Sequence, residues 1–190
     1  MTANEDLDLV RRIVRGEEQA LAMLHARYER QILNFLYRMV GHREMAEELT
    51  SDVFFRVWRK AALYDPARGL FTTWLYQVAG NVARNRLETH GRRPRPEALG
   101  AEDRLPSTDE QPHEDLMRAE DRDQLRGALL ELRPKDRMIL VLRHLEGRST
   151  SEIATIAGVP EGTVKSRVHY ALQRLKRALT PGVDEELLRR

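Results

Sequence analysis

The sequence predicts an all-α protein of two small helical domains joined by a flexible, acidic, proline-containing linker. Three observations carry this. Apolar residues recur with the helical period along most of the chain, and no run of alternating β-branched residues marks a strand. Four of the eight prolines (Pro94, Pro96, Pro106 and Pro112) fall between Gly91 and Pro112, where the apolar period lapses. Acidic residues crowd the same region, a composition that does not build a core of its own.

Taken in order, Glu5 to Arg15 reads as a helix with Leu7, Leu9, Val10, Ile13 and Val14 on one side, ended by Gly16. Glu17 to Val40 keeps the period through Ala20, Leu21, Leu24, Tyr28, Ile32, Phe35, Leu36 and Met39, and Gly41 suits a C-cap. Arg43 to Leu63 is a third helix, and Asp65 to Gly69 a turn. Phe71 to Thr89 is a fourth, with Phe71, Leu75, Val78 and Val82 on its core face, bordered by Trp74. Thr73, Tyr76, Gln77, Asn81 and Arg84 fall on its outward side. The domain boundary belongs in the linker, giving domains over 5–92 and 113–180, a linker over 93–112 and a tail over 181–190. In the second domain His113 to Glu131 is helical. Pro134, tolerated in a first turn, opens a helix to Leu145. A short helix, Ser149 to Ala157, comes next, and then a longer one, Glu161 to Leu179.

With 190 residues the chain holds one ordinary domain or two small ones. Cysteine is absent, which excludes disulfides, thiolate metal sites and cysteine nucleophiles. The six histidines have no metal-ligand spacing, so neither a metal nor a cofactor is expected. No apolar run nears the roughly 20 residues of a membrane span, and Met1 to Asp8 lacks an apolar signal core; the expected location is cytoplasmic, without membrane insertion. Net charge is +2, but it is unevenly spread. Ala67 to Arg95 carries six Arg against one Glu, and Glu97 to Asp121 two Arg against nine acids. Ser149 to Thr180 carries five Lys/Arg against two Glu. Two basic modules flank an acidic connector, which is the electrostatic footprint of a nucleic-acid binder or, more plainly, of solvated helix faces.

The strongest local motif runs from Ser149 to Tyr170. Ser149 or Thr150 can cap a short helix whose inner face is Ile153, Ala154 and Ala157. Gly158 supplies a tight turn, Val159 plugs the core below it, and Pro160 is acceptable where the second helix starts. Val164, Val168, Leu172 and Leu175 then form a buried stripe, opposite Thr163, Lys165, Ser166, Arg167, His169 and Arg174. This is a helix-turn-helix pattern, with early second-helix residues placed for base edges and flanking cations for phosphates.

These residues also carry a resemblance. Leu132 to Gly147, Ser151-Glu-Ile-Ala154 and Glu161-Gly-Thr-Val-Lys-Ser-Arg-Val-His169 resemble domain 4 of extracytoplasmic-function (ECF) sigma factors of the sigma-70 family. Ala46 to Trp58 resembles that family's core-polymerase-binding helix, and Phe71 to Tyr76 with Asn81 to Arg86 its minus-ten-reading and melting segment. The resemblance implies a transcription initiation factor, not an enzyme, that brings RNA polymerase core to promoter DNA. Polymerase contact falls to Glu47, Glu48, Leu49, Asp52, Phe55 and Arg56, through the clamp helices of the largest subunit. Minus-ten contact falls to Thr73, Tyr76, Asn81 and Arg84, and the loop Tyr64 to Gly69 resembles the one that receives a flipped base. Minus-thirty-five contact falls to Thr163, Lys165, Ser166, Arg167, His169 and Arg174, with domain 4 also touching the flap of the second-largest subunit. The acidic linker is expected in the polymerase channel near nascent RNA, and an anti-sigma factor is an expected partner.

Several positions depart from the family pattern. Glu48 replaces a usual Asp, Thr50-Ser51 a commoner apolar-Gln pair, Gly80 a larger and often basic residue, Asn85 a frequent Asp, and Tyr170 a frequent Arg. Other readings are a conventional helix-turn-helix regulator, which needs an α/β receiver-like half that the first 90 residues do not show, a helical adaptor or nucleic-acid-processing enzyme, for which no catalytic set appears, and a non-transcribing decoy with the same fold.

Overall fold

The computed structural model describes residues 3–89 and 115–179. The linker reading (93–112) and the tail reading (181–190) lie outside these residues. Among the described residues there is no strand. No described helix is long and apolar enough to cross a membrane.

The N-terminal half is built from α1 (Ala3–Val14), α2 (Glu18–Val40), α3 (Arg43–Lys60) and α4 (Phe71–Thr89). Between α3 and α4 run two 3-10 turns, Ala61–Leu63 and Pro66–Arg68. Helix α2 is the hub. Its apolar stripe, from Ala20 through Leu24, Ile32, Phe35 and Leu36 to Met39, is fully buried against α1, α3 and α4. Gly41 ends α2 at φ 76°, donating its N–H to the Tyr37 carbonyl at 2.7 Å. Helix α1 is tied down by a polar anchor as well as by Leu9, Val10 and Ile13. Buried Asp6 accepts from the Tyr28 hydroxyl at 2.5 Å and from Arg27 Nη1 at 2.6 Å. Burial, then the Asp6 carboxylate, raises the Tyr28 hydroxyl pKa well above its ordinary value.

The C-terminal half comprises α5 (Asp115–Glu131), α6 (Pro134–Leu140), α7 (Thr150–Ala157) and α8 (Glu161–Leu179). The single helix expected from Pro134 to Leu145 instead ends its regular part at Leu140 and widens into a π-helical turn, Val141–Leu145. Glu146 N–H donates five residues back, to the Val141 carbonyl at 3.0 Å. A π turn inserts one residue per turn and redirects the chain beyond it. Periodicity in the sequence does not register one extra residue.

The two halves share a core. The main cluster of buried side chains runs from α1–α4 through Met138, Ile139, Val141 and Leu142 into Ile153, Ile156 and Val164. A smaller cluster within the C-terminal half holds Leu129, Leu132, Leu140 and Ala171. Helix α4 packs against both α6 and α7. Gly80 on α4 is buried where Met138 crosses it; a Cβ there would lie 2.7 Å from the Met138 Sδ. This accounts for glycine at a position where the family pattern sets a larger side chain.

Arg137 is the polar rivet of this junction. It is 4% exposed, and all its hydrogen bonds go to backbone carbonyls. Nε donates to Leu129 O at 2.9 Å, and Nη2 to Leu130 O at 2.6 Å and Leu132 O at 3.0 Å. Nη1 donates to Met39 O, at the end of α2. A planar fork is needed to serve carbonyls in several directions. Burial pushes the Arg137 pKa down to about 10, which still leaves it charged at neutral pH. Arg137→Met should destabilise the protein by about 3 kcal/mol, because buried carbonyls lose their donor. Arg137→Lys should recover only part of that, and chemical denaturation of the three proteins checks both.

Candidate polymerase and promoter surfaces

Helix α3 turns one face inward and one outward. Ala46, Leu49, Thr50, Val53, Phe54 and Val57 are buried, whereas Glu47, Glu48, Asp52 and Phe55 are exposed. Leu49, expected to touch polymerase, is 2% exposed and belongs to the core, since it sits in the i, i+4 series with Val53 and Val57. The rest of the expected set is brought together: three carboxylates around Phe55, which is 63% exposed, with Arg56 half-buried beside them. An exposed aromatic in an acidic rim is a suitable anchor for a basic partner. Arg86 on α4 grips Glu48 with both terminal nitrogens, at 3.2 and 2.9 Å, and Arg43 holds Glu47 at 3.0 Å. Thr50 and Ser51 donate their hydroxyls back to the Ala46 and Glu47 carbonyls, so this departure from the family pattern is satisfied within the helix.

On α4 the expected minus-ten residues separate into two pairs. Asn81 and Arg84 are half-buried and joined, Arg84 Nη2 donating to Asn81 Oδ1 at 2.6 Å. Thr73 and Tyr76, expected on the outward side, are 5% and 1% exposed. The side of α4 that would be outward in an isolated N-terminal half is covered here by α6 and α7. Tyr76 packs edge-on against Phe35 with centroids 5.1 Å apart, and its hydroxyl donates to the Glu146 carboxylate. Burial foremost, then the Glu146 charge, raises the Tyr76 pKa well above its ordinary value.

The loop before α4 is built by short-range bonds. Asp65 accepts the Ala67 N–H at 3.0 Å, and the Tyr64 hydroxyl donates to Gly69 O at 3.1 Å. Gly69 has φ 140°. Tyr64, Phe71 and Trp74 form an aromatic cluster with centroids 5.8 to 5.9 Å apart. Above it opens a cleft of about 630 Å³, with Tyr64, Asp65, Arg68 and Trp74 on one wall and Val159 and Pro160 on the other.

The helix-turn-helix forms as its sequence dictates. Ser149 is the N-cap: its Oγ accepts from Glu152 N–H at 3.2 Å while Glu152 accepts from Ser149 N–H at 2.9 Å, a reciprocal box. Burial pushes the Glu152 carboxyl up, but bonds from the Ser149 N–H and Oγ and from Arg148 outweigh it and hold the pKa below its ordinary value. Gly158 turns the chain at φ 65°. Pro160 stands just before α8 rather than inside it, its carbonyl accepting from Thr163 at 2.9 Å and Val164 at 3.1 Å. On the inward stripe of α8, Val164 and Ala171 are buried and Val168 and Leu175 half-buried; Leu172, expected in the stripe, is 39% exposed. Position 171 continues the i, i+3, i+4 series from 164 and 168, which 172 leaves. Lys165, Ser166, His169 and Arg174 are exposed, and Thr163 and Arg167 half-exposed, so the expected reading face is assembled on one helix. Tyr170 adds a 65% exposed ring, set edge-on to His169 at 5.8 Å.

Comparison with known proteins agrees with this layout. Residues 24–93 match the family model "Sigma-70 region 2", and residues 122–175 match "Sigma-70, region 4". The RNA polymerase sigma-H factor of Pseudomonas aeruginosa is 32% identical over 194 residues, which cover 97% of this chain and 99% of that protein. The ECF RNA polymerase sigma-E factor of Escherichia coli K12 is 32% identical over 185 residues, 93% of this chain and 95% of that one. Among solved structures, the sigma factor RpoE of Bartonella quintana, in complex with the anti-sigma factor NepR, shares the fold with a TM-score of 0.60 at 24% identity, covering 88% of this chain and 98% of that one.

The cap makes a local test. Ser149→Ala should cost about 1 kcal/mol of stability in thermal or chemical unfolding. Ser149→Asp should retain most of it.

Family-model matches to regions 2 and 4 in that order, with relatives alike over nearly the whole chain, place the protein in the sigma-70 family, among the extracytoplasmic-function sigma factors.

Proposed function

We propose that this protein binds RNA polymerase core and directs it to specific promoters, where it assists DNA melting. The observation that carries the reading is the pair of motif-bearing modules, region 2 and region 4, in the order of relatives that align across 97% of the chain. Residues 5–92 act as the polymerase-binding and minus-ten module. Residues 113–180 read the minus-thirty-five element, 93–112 form the linker through the polymerase channel, and 181–190 a tail.

In this reading the acidic face of α3, Glu47, Glu48 and Asp52 with Phe55 and Arg56, meets the clamp helices of the largest polymerase subunit. Opposite charge steers the encounter, and the exposed ring supplies desolvated contact. On α8, Lys165, Arg167 and Arg174 meet phosphates or guanine edges, and Thr163, Ser166 and His169 complete the reading face. Region 4 also touches the flap of the second-largest subunit. Asn81 and Arg84, with Thr73 and Tyr76 once uncovered, hold the minus-ten strand. Melting is differential binding rather than catalysis: gripping an unstacked base offsets the few kcal/mol of unpairing. The protein then works in the cytoplasm, needs no cofactor, and pairs with an anti-sigma factor; the sigma factor RpoE of Bartonella quintana is solved in complex with one.

The direct test is transcription by purified core polymerase on fragmented genomic DNA of the source organism, with sequencing of RNA 5′ ends. Discrete starts that share two spaced upstream elements, and are absent with core alone, are expected. Failure of the protein to bind core would overturn the reading. Two substitutions divide the labour. Arg167→Ala should lower promoter-specific initiation about tenfold, within the 1–3 kcal/mol span of one base contact, and leave core affinity unchanged. Asp52→Lys should weaken core binding several-fold at low salt, measured by fluorescence anisotropy, with promoter choice unaltered.

A further inference from the structure

The buried residues of α8 define which of its side chains face outward. Val164 and Ala171 are buried and Val168 and Leu175 half-buried, and together they fix the inward side. At about 100° per residue, Ser166 and Gln173 point almost straight away from that side, and His169 and Tyr170 flank the outward line at about 50° on either hand. Thr163, Lys165, Arg167 and Arg174 lie farther round. The side chains that would face a groove most squarely are therefore Ser166, His169, Tyr170 and Gln173, with cations placed where phosphates border the groove.

These four side chains are not equally free. Gln173 Nε2 lies 3.0 Å from His169 Nε2, a bond that occupies the outer nitrogen of the imidazole. Ser166 turns its hydroxyl back to the Thr163 carbonyl at 3.1 Å. Tyr170 differs from all three. Its ring is 65% exposed, and its hydroxyl has no partner among the described residues. His169 stands edge-on to the ring at 5.8 Å and braces it from one side, so less rotamer freedom is lost when the ring meets a base. Tyr170 is the largest free group on the outward face. It lies four residues beyond Ser166, about 6 Å along the axis, which is roughly two base-pair steps.

Chemistry decides what such a ring can recognise. Guanine presents two acceptors to the major groove, N7 and O6, and reading both takes a fork of two donors. Arginine, frequent at this position in the family pattern, has that fork, whereas a phenol has one O–H. What the ring offers instead is an apolar face. The one apolar group on the major-groove edge of DNA is the C5-methyl of thymine. We infer that Tyr170 is a specificity-determining residue of this chain: its ring packs against the methyl of a thymine in the minus-thirty-five element, and so sets a T·A pair where an arginine would set guanine. The inference rests on the sigma reading, with α8 in the major groove.

The test uses core polymerase with the full chain on a promoter found by the genomic run-off, randomised through its minus-thirty-five element, and counts the RNA made from each sequence. Wild type should favour thymine at one position where Tyr170→Arg favours guanine, with the other positions unchanged. Deoxyuridine in place of that thymine removes the methyl and nothing else. It should lower wild-type initiation about fourfold, the worth of one buried methyl-sized group. Tyr170→Phe, which keeps the ring, should keep this sensitivity, and Tyr170→Ala should lose it. The ring is exposed, so none of these substitutions reaches the core. Initiation with the same base preferences in wild type and Tyr170→Arg, or an undiminished yield from the deoxyuridine promoter, overturns the inference and leaves the sigma reading standing. Absence of discrete starts in the genomic run-off overturns the sigma reading itself, and the inference with it.

Discussion

A carboxylate with little access to solvent needs donors, and Glu146 finds both of its donors on the other half of the chain. Arg38 comes from the end of α2 and Tyr76 from the middle of α4, so one buried charge fixes the relation of three helices. Arg148, two residues on, covers the face of the same tyrosine ring. The apolar contacts around this site, Met138 on Gly80 among them, supply non-directional burial. The polar groups supply register, because losing Arg38 leaves a buried charge uncompensated and losing Tyr76 leaves a carboxylate oxygen without its donor. The π turn is what makes the arrangement possible: without its extra residue, Glu146 would lie about 100° away around the helix axis.

The same constraint explains why a ring on the outward period of α4 is buried. Tyr76 would face solvent in an isolated N-terminal half, an exposed apolar patch of the kind that soluble proteins cover. Helices α6 and α7 provide the cover. The outer side of α3 needs none, since Glu47 and Glu48 stand in solvent, paired with Arg43 and Arg86.

Much of the fold is legible in the sequence, because most of its signals are local. Phe71 to Thr89 and Glu161 to Leu179 are helices with the bounds that their flanking turns predict. Ser149, Glu152 and Gly158 cap α7 through bonds only a few residues long. The outward acids of α3 are set by its period. The features that the sequence does not reveal are long-range or off-period. Leu49 and Leu172 each depart from expectation by one helical step, the first inward and the second outward. Thr73 and Tyr76 lie outward by the period of α4 taken alone, yet both are buried, and Tyr76 is met by Glu146 and Arg148, some seventy residues away. No composition or spacing marks Glu146 and Arg38 as a pair across 108 residues. Gly80 is visible as a departure, and its reason appears only with Met138 beside it.

Oxidative footprinting of the chain, wild type and Glu146→Lys, tests the Glu146 constraint most directly, because Tyr76 and Met138 are both buried at the junction and both react readily with hydroxyl radical. Protection of both in the wild type is expected, and exposure of both in the variant with helical content retained. Equal protection of both residues in the two proteins would contradict it.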